Sequence, residues 1–477
     1  MSRNKLSRRL LMLSAALTLA MSHTAFAGET VELNLQEAME RAFNTNPSIS
    51  IAGYNVKSAK AGLDAVRSSH LLSITAQHQT KRSGHDDYAE RNGIGADGMP
   101  AVVWSKGIGN SHTNSLTATL PIYTGGKIRG NVRQAKANYK SVLEGKQKAY
   151  NDMRATVTTG YCDLLQAGNM QQLGRESVQR LEDHLKNVQA QYEVGVVAKV
   201  DVLRSQVELA NAQQSLIQAE NAYQVAEANL NRIVGLPMDT TLKLDNILTY
   251  SEYAEDMAYC LNYASQYRPE LEQARQGVEA AKGALMVARS GYMPQISANA
   301  TQSWYDSNWP GDENGEWGVG VGVSLNVFDS GVTWSKINGA KADLAVAEET
   351  YRDTVDAVNL DVRNCYLGMR EAEKRIGTTE TAVSQAEEDY RIAQVRYMAG
   401  VGTNTDVLDA QVALTQAKTN YLQAMYDYNT SKTELENAMG VPMVFPTKVT
   451  VEPQKEALAK AEAEVNKTAE DSEASAE

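Results

Sequence analysis

The sequence predicts a mixed α and β fold in which a unit of long helices and short strands occurs twice. The duplication is visible in two pairs of segments. VGVVAKVDVL, from Val194, returns as AGVGTNTDVL from Ala399, and LNRIVGLP, from Leu230, returns as LENAMGVP from Leu435. Both pairs are 205 residues apart. A period this long indicates duplication of half a protein and excludes a solenoid of short repeats.

Proline spacing predicts the long helices. No proline occurs in 122–236 or in 311–441, and a proline disfavours a helix interior by about 3 kcal/mol. Each interval therefore predicts a very long helix, a turn at Gly195 or Gly400, and a second helix that returns. A helix over 126–194 would be on the order of 100 Å long, which indicates an elongated molecule.

The returning helices carry a heptad register. Large residues recur every seven positions, at Val202, Leu209, Leu216, Tyr223 and Leu230, and again at Val407, Leu414, Tyr421, Tyr428 and Leu435. Three places after each of them the residue is mostly alanine or serine. The register predicts left-handed coiled coils with closely spaced helices. Because the seams hold few bulky residues, we expect these helices to pack against other chains as well as within their own hairpin.

Four short segments alternate apolar and small polar residues, which is the period of a β-strand. They lie at 72–77, 115–122, 296–301 and 317–327, two in each half, with aromatic residues near their ends. One apolar and one small polar face is typical of strands that cross an outer membrane. The alternative is a pair of half-buried hairpins in a soluble domain, although no neighbouring segment is suited to cover the apolar faces.

The start of the chain predicts export. Basic residues precede an apolar run over 10–20, and Ala25-Phe26-Ala27 gives the small-residue pattern of a signal peptide cleaved before Gly28. The net charge is −12, and it becomes −16 when the four basic residues of the signal peptide are removed. A chain this acidic is a poor nucleic-acid binder. No mature segment is apolar over the 18 or more residues that a membrane-spanning helix needs.

Motifs for catalysis are missing from the sequence. No histidine spacing of the HExxH kind, no Walker loop and no Rossmann glycine pattern occurs. The glycines at 318, 320 and 322 alternate with valines, which places them along one face of a strand rather than in a phosphate loop. Three scattered cysteines do not make a disulfide framework. We therefore predict no enzymatic activity, no metal and no cofactor.

The two halves also align before the strands, but at a different offset. Pro47 and Pro269 set an offset of 222 residues, so the first half holds a 17-residue insertion, predicted as a surface loop between 80 and 114. The expected organisation is a signal peptide at 1–27, a first repeat at 28–237, a connection at 238–267, a second repeat at 268–442 and an acidic tail, expected to be disordered, at 443–477.

The duplicated halves, the signal peptide, the LPIYTGGK motif from Leu120 and the two glycine turns together resemble the TolC family of outer-membrane efflux and secretion ducts. The resemblance covers about Leu33 to Pro442. It implies a homotrimer in contact with outer-membrane lipid, in which each chain gives four strands to one twelve-stranded β-barrel and its helices to a periplasmic tunnel. Four strands alone cannot close a barrel.

The resemblance also implies a function. The protein would be the passive exit duct of a tripartite efflux or type I secretion system, receiving substrates from an inner-membrane transporter through a periplasmic adaptor, or membrane fusion, protein. The hairpin tips at Gly195, Val196, Gly400 and Val401 would dock the adaptor. The alternative from a different class is a soluble periplasmic coiled-coil adaptor or scaffold, which would lack membrane strands.

Two acidic residues match the positions that ring the closed mouth in the family. Asp406 and Asp409 would each form a ring of carboxylates in a threefold assembly, and such rings favour cations. The alternative for an aspartate near a helix start is local capping, which complements the helix dipole. Capping needs only one of the two residues.

A second family feature is the contact that holds the mouth shut. Tyr397 and Asp201 match its two members, although Tyr192 occupies the equivalent place in the first half, so that Tyr397 is equally interpretable as a seam aromatic. Gly402 stands where the family archetype has an arginine. A second closing contact, through Val200, should therefore be missing, and we expect a less tightly latched mouth.

Overall fold

The computed structural model describes residues 30–94 and 98–442. The predicted signal peptide at 1–27 and the predicted tail at 443–477 lie outside the described residues. Among the described helices, none combines the length and the apolar character that a membrane crossing requires.

The described residues form eight α-helices and six β-strands. The helices are α1 (Leu35–Thr45), α2 (Pro47–Ser68), α3 (Lys127–Glu193), α4 (Lys199–Val234), α5 (Met257–Tyr267), α6 (Pro269–Arg289), α7 (Val332–Met398) and α8 (Asn404–Ala438). The strands are β1 (Thr30–Leu33), β2 (Ser73–Ile94), β3 (Pro100–Tyr123), β4 (Thr241–Leu244), β5 (Gln295–Asp306) and β6 (Asn314–Ser324). The duplication is therefore present in the structure: each half holds a helix pair, a β-hairpin and a long helical hairpin.

The two long helices match the prediction closely. α3 and α7 each contain 67 residues, which corresponds to about 100 Å, and their first residues are 205 positions apart. Two residues after each helix ends stands a glycine with positive φ, 76° at Gly195 and 75° at Gly400. Glycine adopts this backbone conformation without steric cost, so the chain reverses direction at both positions.

The coiled-coil seams are buried unequally. In α8 the seam residues Val407, Leu414 and Leu435 are almost fully buried within the chain. The equivalent seam of α4 is less evenly covered: Leu230 is fully buried, whereas Val202 and Leu209 are only half-buried. Beside this seam, Leu203 and Val207 form an apolar stripe with half or more of each side chain exposed. A coiled-coil helix with an uncovered apolar stripe still lacks a partner.

The core lies around the middle of α3, where the first half closes on itself. The side chain of Tyr161 is fully buried, and its hydroxyl donates to the carbonyl of Leu33 at 3.0 Å while accepting from the amide of Asp245 at 2.8 Å. Leu33 ends β1 and Asp245 directly follows β4, and these two strands pair in parallel. One tyrosine thus fixes a small sheet against one of the two long helices.

The other four strands form one antiparallel sheet in the order β2, β3, β5, β6. Ala118 pairs with Ile74 on one side and with Ala300 on the other, and Ala300 pairs with Val319. Within the described chain, β2 and β6 are edge strands, so each has an open row of backbone hydrogen-bonding groups.

The insertion in the first hairpin differs from the prediction of a surface loop. β2 and β3 remain paired from Ser73 and Thr119 as far as Ile94 and Pro100, with one irregularity between Gly84 and Tyr88. An antiparallel ladder satisfies backbone groups whatever the side chains are, so a polar, glycine-containing sequence can extend a hairpin. Composition therefore gave the right position for the insertion but the wrong conformation, a loop instead of paired strands.

A close helix crossing joins the two halves. A Cβ placed on Gly130 of α3 would lie 2.8 Å from the carbonyl oxygen of Gly283 in α6, and a Cβ on Gly283 would lie 2.8 Å from the carbonyl oxygen of Gly130. Both distances are too short for any side chain. The helices pack in the order α2, α3, α6, α7, the same direction as the strand order.

Candidate site at the hairpin tips

The two hairpin tips are built by the same local turn. In the first, the amides of Gly195 and Val196 donate to the carbonyls of Tyr192 and Gln191, both at 2.9 Å. In the second, Gly400 and Val401 donate to the carbonyls of Tyr397 and Arg396, both at 3.0 Å.

Each tip presents an apolar residue to solvent. Val196 is 71% exposed and Val401 is 68% exposed, and both lie directly after the turn glycine. The predicted docking residues therefore lie on the surface at equivalent places in the two hairpins.

Asp406 caps the second returning helix. Its carboxylate accepts from the backbone amide of Thr403 at 2.9 Å, and its own amide donates to the hydroxyl of Thr403 at 3.2 Å. These bonds with Thr403 hold the pKa of Asp406 below its usual range. The carboxylate is exposed and stays ionised, so capping and a contribution to an acidic ring are compatible.

Asp409 lies one helical turn beyond Asp406 and is also exposed. A spacing of three residues places the two carboxylates on one face of α8. Because Asp406 makes the capping bonds, the capping explanation accounts for one member of the predicted pair and leaves Asp409 without that role.

Tyr397 and Asp201 lie near each other in the same chain. Burial, and then the negative charge of Asp201, raise the pKa of the Tyr397 phenol. The hydroxyl is buried and has no hydrogen-bond partner among the described residues, so no bond joins it to Asp201. Tyr397 belongs to the same buried apolar cluster as Val188, Val407 and Leu414, which fits the seam interpretation of Tyr397.

The surroundings of Gly402 are crowded, while the absence of a second closing contact through Val200 stays a prediction. A Cβ on Gly402 would lie 3.0 Å from the backbone nitrogen of Tyr397 and 3.1 Å from the Cβ of Arg396, and Val200 is half exposed. A different contact is present nearby. The guanidinium of Arg204 donates to the hydroxyl of Thr405 at 2.9 Å, in an exposed position between the hairpins.

Sequence reasoning missed a buried polar cluster directly behind the tips. His184 Nε2 lies 2.7 Å from Asn404 Oδ1, and Asn404 Nδ2 donates to the carbonyl of Asp201 at 3.1 Å. The hydroxyl of Ser205 lies 3.0 Å from the same carbonyl and 3.2 Å from Asn404 Oδ1. We call His184, Ser205 and Asn404 the tip node. Ser205 gave the one signal, since it is a polar residue at a seam position.

The tip node is shielded from water. His184 is 6% exposed, Asn404 3% and Ser205 0%, and the rings of His184 and Tyr397 lie with centroids 5.3 Å apart. Burial lowers the pKa of His184, and the hydrogen bond to Asn404 opposes this only in part. The imidazole is therefore neutral at neutral pH.

These features define a class of protein: a chain whose long coiled helices and open-edged sheet suit a larger tube, and whose described residues hold no metal-binding cluster. The sequence matches the family described as Outer membrane efflux protein over residues 38–236 and 260–441. The chain therefore belongs to this family. It is an outer-membrane efflux channel component with a periplasmic extension, and it is not an enzyme.

Individual relatives agree with this assignment. The chain is similar to the outer membrane protein TolC of Escherichia coli, with 23% identity over 440 residues, covering 88% of this chain and 85% of that protein. It is 24% identical over 417 residues to a probable efflux pump outer membrane protein, TtgC of Pseudomonas putida, covering 85% of this chain and 82% of that protein.

Solved structures share the fold. The crystal structure of the outer membrane protein VceC from Vibrio cholerae matches with a TM-score of 0.72 at 19% identity, covering 85% of this chain and 96% of that chain. The predicted family resemblance, the fold of long helices with four antiparallel strands, and the outer-membrane location are thus confirmed. The alternative of a soluble adaptor does not fit the family.

Proposed function

We propose that three copies of this chain form a passive exit duct, which accepts substrates from an inner-membrane transporter through a periplasmic adaptor docked at the hairpin tips. The observation that carries the proposal is that the helices and the strands end in open faces on the same two sides of the chain. The following contacts and exposures support it.

The row of packed helices and the row of paired strands each have an uncovered element at both ends, and these end elements are neighbours in sequence. α2 leads directly into the edge strand β2, and the edge strand β6 leads directly into α7. In the described chain α2 and α7 do not pack on each other. If β6 of one copy pairs with β2 of the next, α7 meets α2 at the same time. A head-to-tail contact of this kind closes into a ring when the rotation between successive copies adds up to a full turn, as we propose for three copies.

The duplication identifies a specific contact in that ring. Within the chain, Gln273 of α6 donates to the carbonyl of Ser141 in α3 at 3.3 Å. At the repeat offsets, the equivalent residues are Ile51 in α2 and Val346 in α7. Both are exposed in the single chain, by 57% and 65%. We infer that Ile51 of one copy contacts Val346 of the next, so that an apolar contact replaces a polar one.

The strands supply the membrane part of the duct. Val319, Val321 and Val323 form an apolar row on β6 that is about two-thirds or more exposed, which suits contact with lipid. The intervening glycines have no atom within 4 Å of an added Cβ, so that face leaves an open lumen. Bacterial barrels begin at about eight strands. Three copies with four strands each give twelve.

The tips supply the periplasmic mouth, which we define as the opening surrounded by the hairpin turns of all copies. Asp406 and Asp409 would place carboxylates around it and favour cations. The exposed Val196 and Val401, each beside a turn glycine, would give the adaptor an apolar contact in both hairpins. Tyr397 and Asp201 would contribute to closure through packing and charge rather than through a mutual hydrogen bond.

Cysteine crosslinking tests the assembly. Ile51→Cys with Val346→Cys should form disulfide-linked trimers in outer-membrane fractions, whereas Ile51→Cys with Val412→Cys, another exposed valine, should not. Cys162 and Cys260 are buried and Cys365 is half-buried, which limits background. Monomers only in the first pair, or equal crosslinking in both pairs, would contradict the arrangement. Ion conductance of the purified protein in planar bilayers tests the duct itself.

A further inference from the structure

The tip node joins four helices at one buried point. His184 comes from α3, Ser205 from α4 and Asn404 from α8, while Tyr397 of α7 packs against the His184 ring. The first two helices form one hairpin and the last two form the other. Polar contacts at this point therefore hold one hairpin against its counterpart, closer to the tips than the contacts of Gln411 with Ser177 and Arg180 that also join α8 to α3.

The hydrogen-bond pattern fixes the orientation of each group. Asn404 Nδ2 donates to the carbonyl of Asp201, so Asn404 Oδ1 is the atom that faces His184 and Ser205. An amide oxygen only accepts. His184 Nε2 must therefore carry a proton and donate it, which places the neutral imidazole in its Nε2–H form. Both ends of the Asn404 amide are used, one for each helix of the first hairpin.

Other cross-hairpin contacts at the tips are weaker. The bond from Arg204 to Thr405 is exposed to water, and the Tyr397 hydroxyl has no partner among the described residues. Gly402 has no side chain to offer. A buried hydrogen bond is costly to lose because its partner is left without water, whereas an exposed one is replaced by solvent.

The position of Asn404 at the start of α8 links the tip node to the acidic residues of the mouth. It is the first residue of α8 and directly follows Thr403, whose capping bonds hold Asp406. Fixing Asn404 against the first hairpin thus also fixes where the Asp406 and Asp409 carboxylates lie.

We propose that Asn404, held by His184 and Ser205, is a positioning residue that fixes the second hairpin tip against the first and sets the resting width of the mouth. This inference rests on the proposed duct. It assigns the latch to a point behind the tips, and it explains how a chain with glycine at position 402 keeps its hairpins together.

Single-channel recording in planar bilayers tests the assignment. Asn404→Ala and His184→Ala should raise the ratio of open to closed mouth about tenfold for each buried hydrogen bond lost, seen as longer or larger openings. His184→Gln should restore the resting behaviour, because its amide can still donate to Asn404 Oδ1. Asn420→Ala is the matched control, since that exposed side chain bonds only to Gln416 of the same helix.

A milder substitution, Ser205→Ala, keeps the test valid if the other variants fail to fold. Ser205→Ala introduces the residue found at other seam positions of α4, so the helix should still fold, and the opening should rise less than in Asn404→Ala. Unchanged conductance in folded Asn404→Ala trimers would overturn the proposal, as would His184→Gln being as open as His184→Ala. A wild-type protein that conducts no ions would instead overturn the duct, and the latch with it.

Discussion

The imidazole of His184 donates a 2.7 Å hydrogen bond to the side-chain oxygen of Asn404, across the interface between the two helical hairpins. The two residues are 220 positions apart in the chain. We expect the stability and the ion conductance of the tips to depend on pH, on helix capping and on local charge. A different substitution tests each dependence.

The first prediction concerns pH. Burial lowers the pKa of His184 in the closed structure, so an open or unfolded state, with an ordinary pKa of about 6.5, binds more protons as the pH falls. The stability that the neutral His184 gives to the closed tips is therefore fully present above about pH 6.5 and is progressively lost as the pH falls below that value. Thermal unfolding and bilayer conductance, each measured from pH 7.5 down to 5.5, should show loosening that His184→Gln removes.

The groups around His184 leave this direction unchanged. α7 contributes Tyr397 and α8 contributes the uncharged Asn404, while α4 contributes Asp201, whose carboxylate would offset only part of a new positive charge. On α3 itself, the nearest charged residues in sequence are Asp183, Glu182 and Lys186. A pH profile identical in wild type and His184→Gln would contradict the prediction.

The second prediction separates charge from capping at the mouth. Asp409→Ala removes a carboxylate that takes no part in the capping box, so cation selectivity should fall while thermal stability stays the same. Thr403→Ala should do the reverse, since it removes the capping hydroxyl at a cost of about 1 kcal/mol and leaves both carboxylates in place. Reversal potentials in a salt gradient and melting curves measure the two effects. Equal selectivity in all variants would contradict the acidic ring.

The third prediction concerns the crossing of α3 and α6. Gly130→Ala should destabilise the chain by about 1–3 kcal/mol, because its Cβ would press on the backbone of Gly283 and force the helices apart. Gly277→Ala in α6 is the matched control. No atom lies within 4 Å of its added Cβ, so helix propensity should make it stabilising by up to about 1 kcal/mol. Melting temperatures of both variants in detergent decide the matter.

The fourth prediction concerns the turn between β5 and β6. Asn114 of β3 donates to the carbonyls of Pro310 and Gly311 at 2.9 and 3.0 Å, which fastens this turn to the neighbouring hairpin. Asn114→Ala should free the turn and speed its cleavage in limited proteolysis, with the rest of the sheet intact. Asn308→Ala, in the same turn, should have little effect. Equal cleavage rates in wild type and Asn114→Ala would show that these bonds do not hold the turn.

Most helices and strands could be predicted from residues that act on their own stretch of backbone. Proline-free intervals and the glycines at 195 and 400 predicted the long helices to within one residue at each end of α3, because these two residue types act on the backbone where they stand. Alternation located the strands for the same reason. The hairpin insertion was mispredicted because strand pairing there depends on backbone hydrogen bonds with a partner strand, which side-chain polarity does not reveal.

The tip residues show the limit of such signals. Asp406 could be assigned both a capping role and an exposed charge from its position after Thr403, and the structure contains the capping bonds. Nothing in the sequence indicated a contact between His184 and Asn404. His184 belongs to no motif, Asn404 stood out only as part of the repeated segment, and the contact exists only once four helices have packed. Long-range polar contacts of this kind follow from tertiary structure rather than from periodicity.

The unequal burial of the two seams has a consequence for how the protein matures. A newly exported chain can complete its second hairpin alone, because the α8 seam is covered within the chain. In the single chain the apolar stripe of α4 is exposed, and so are both edges of the four-stranded sheet. In the proposed assembly, a solitary chain therefore presents apolar surface and open sheet edges, both of which favour aggregation until neighbouring copies cover them.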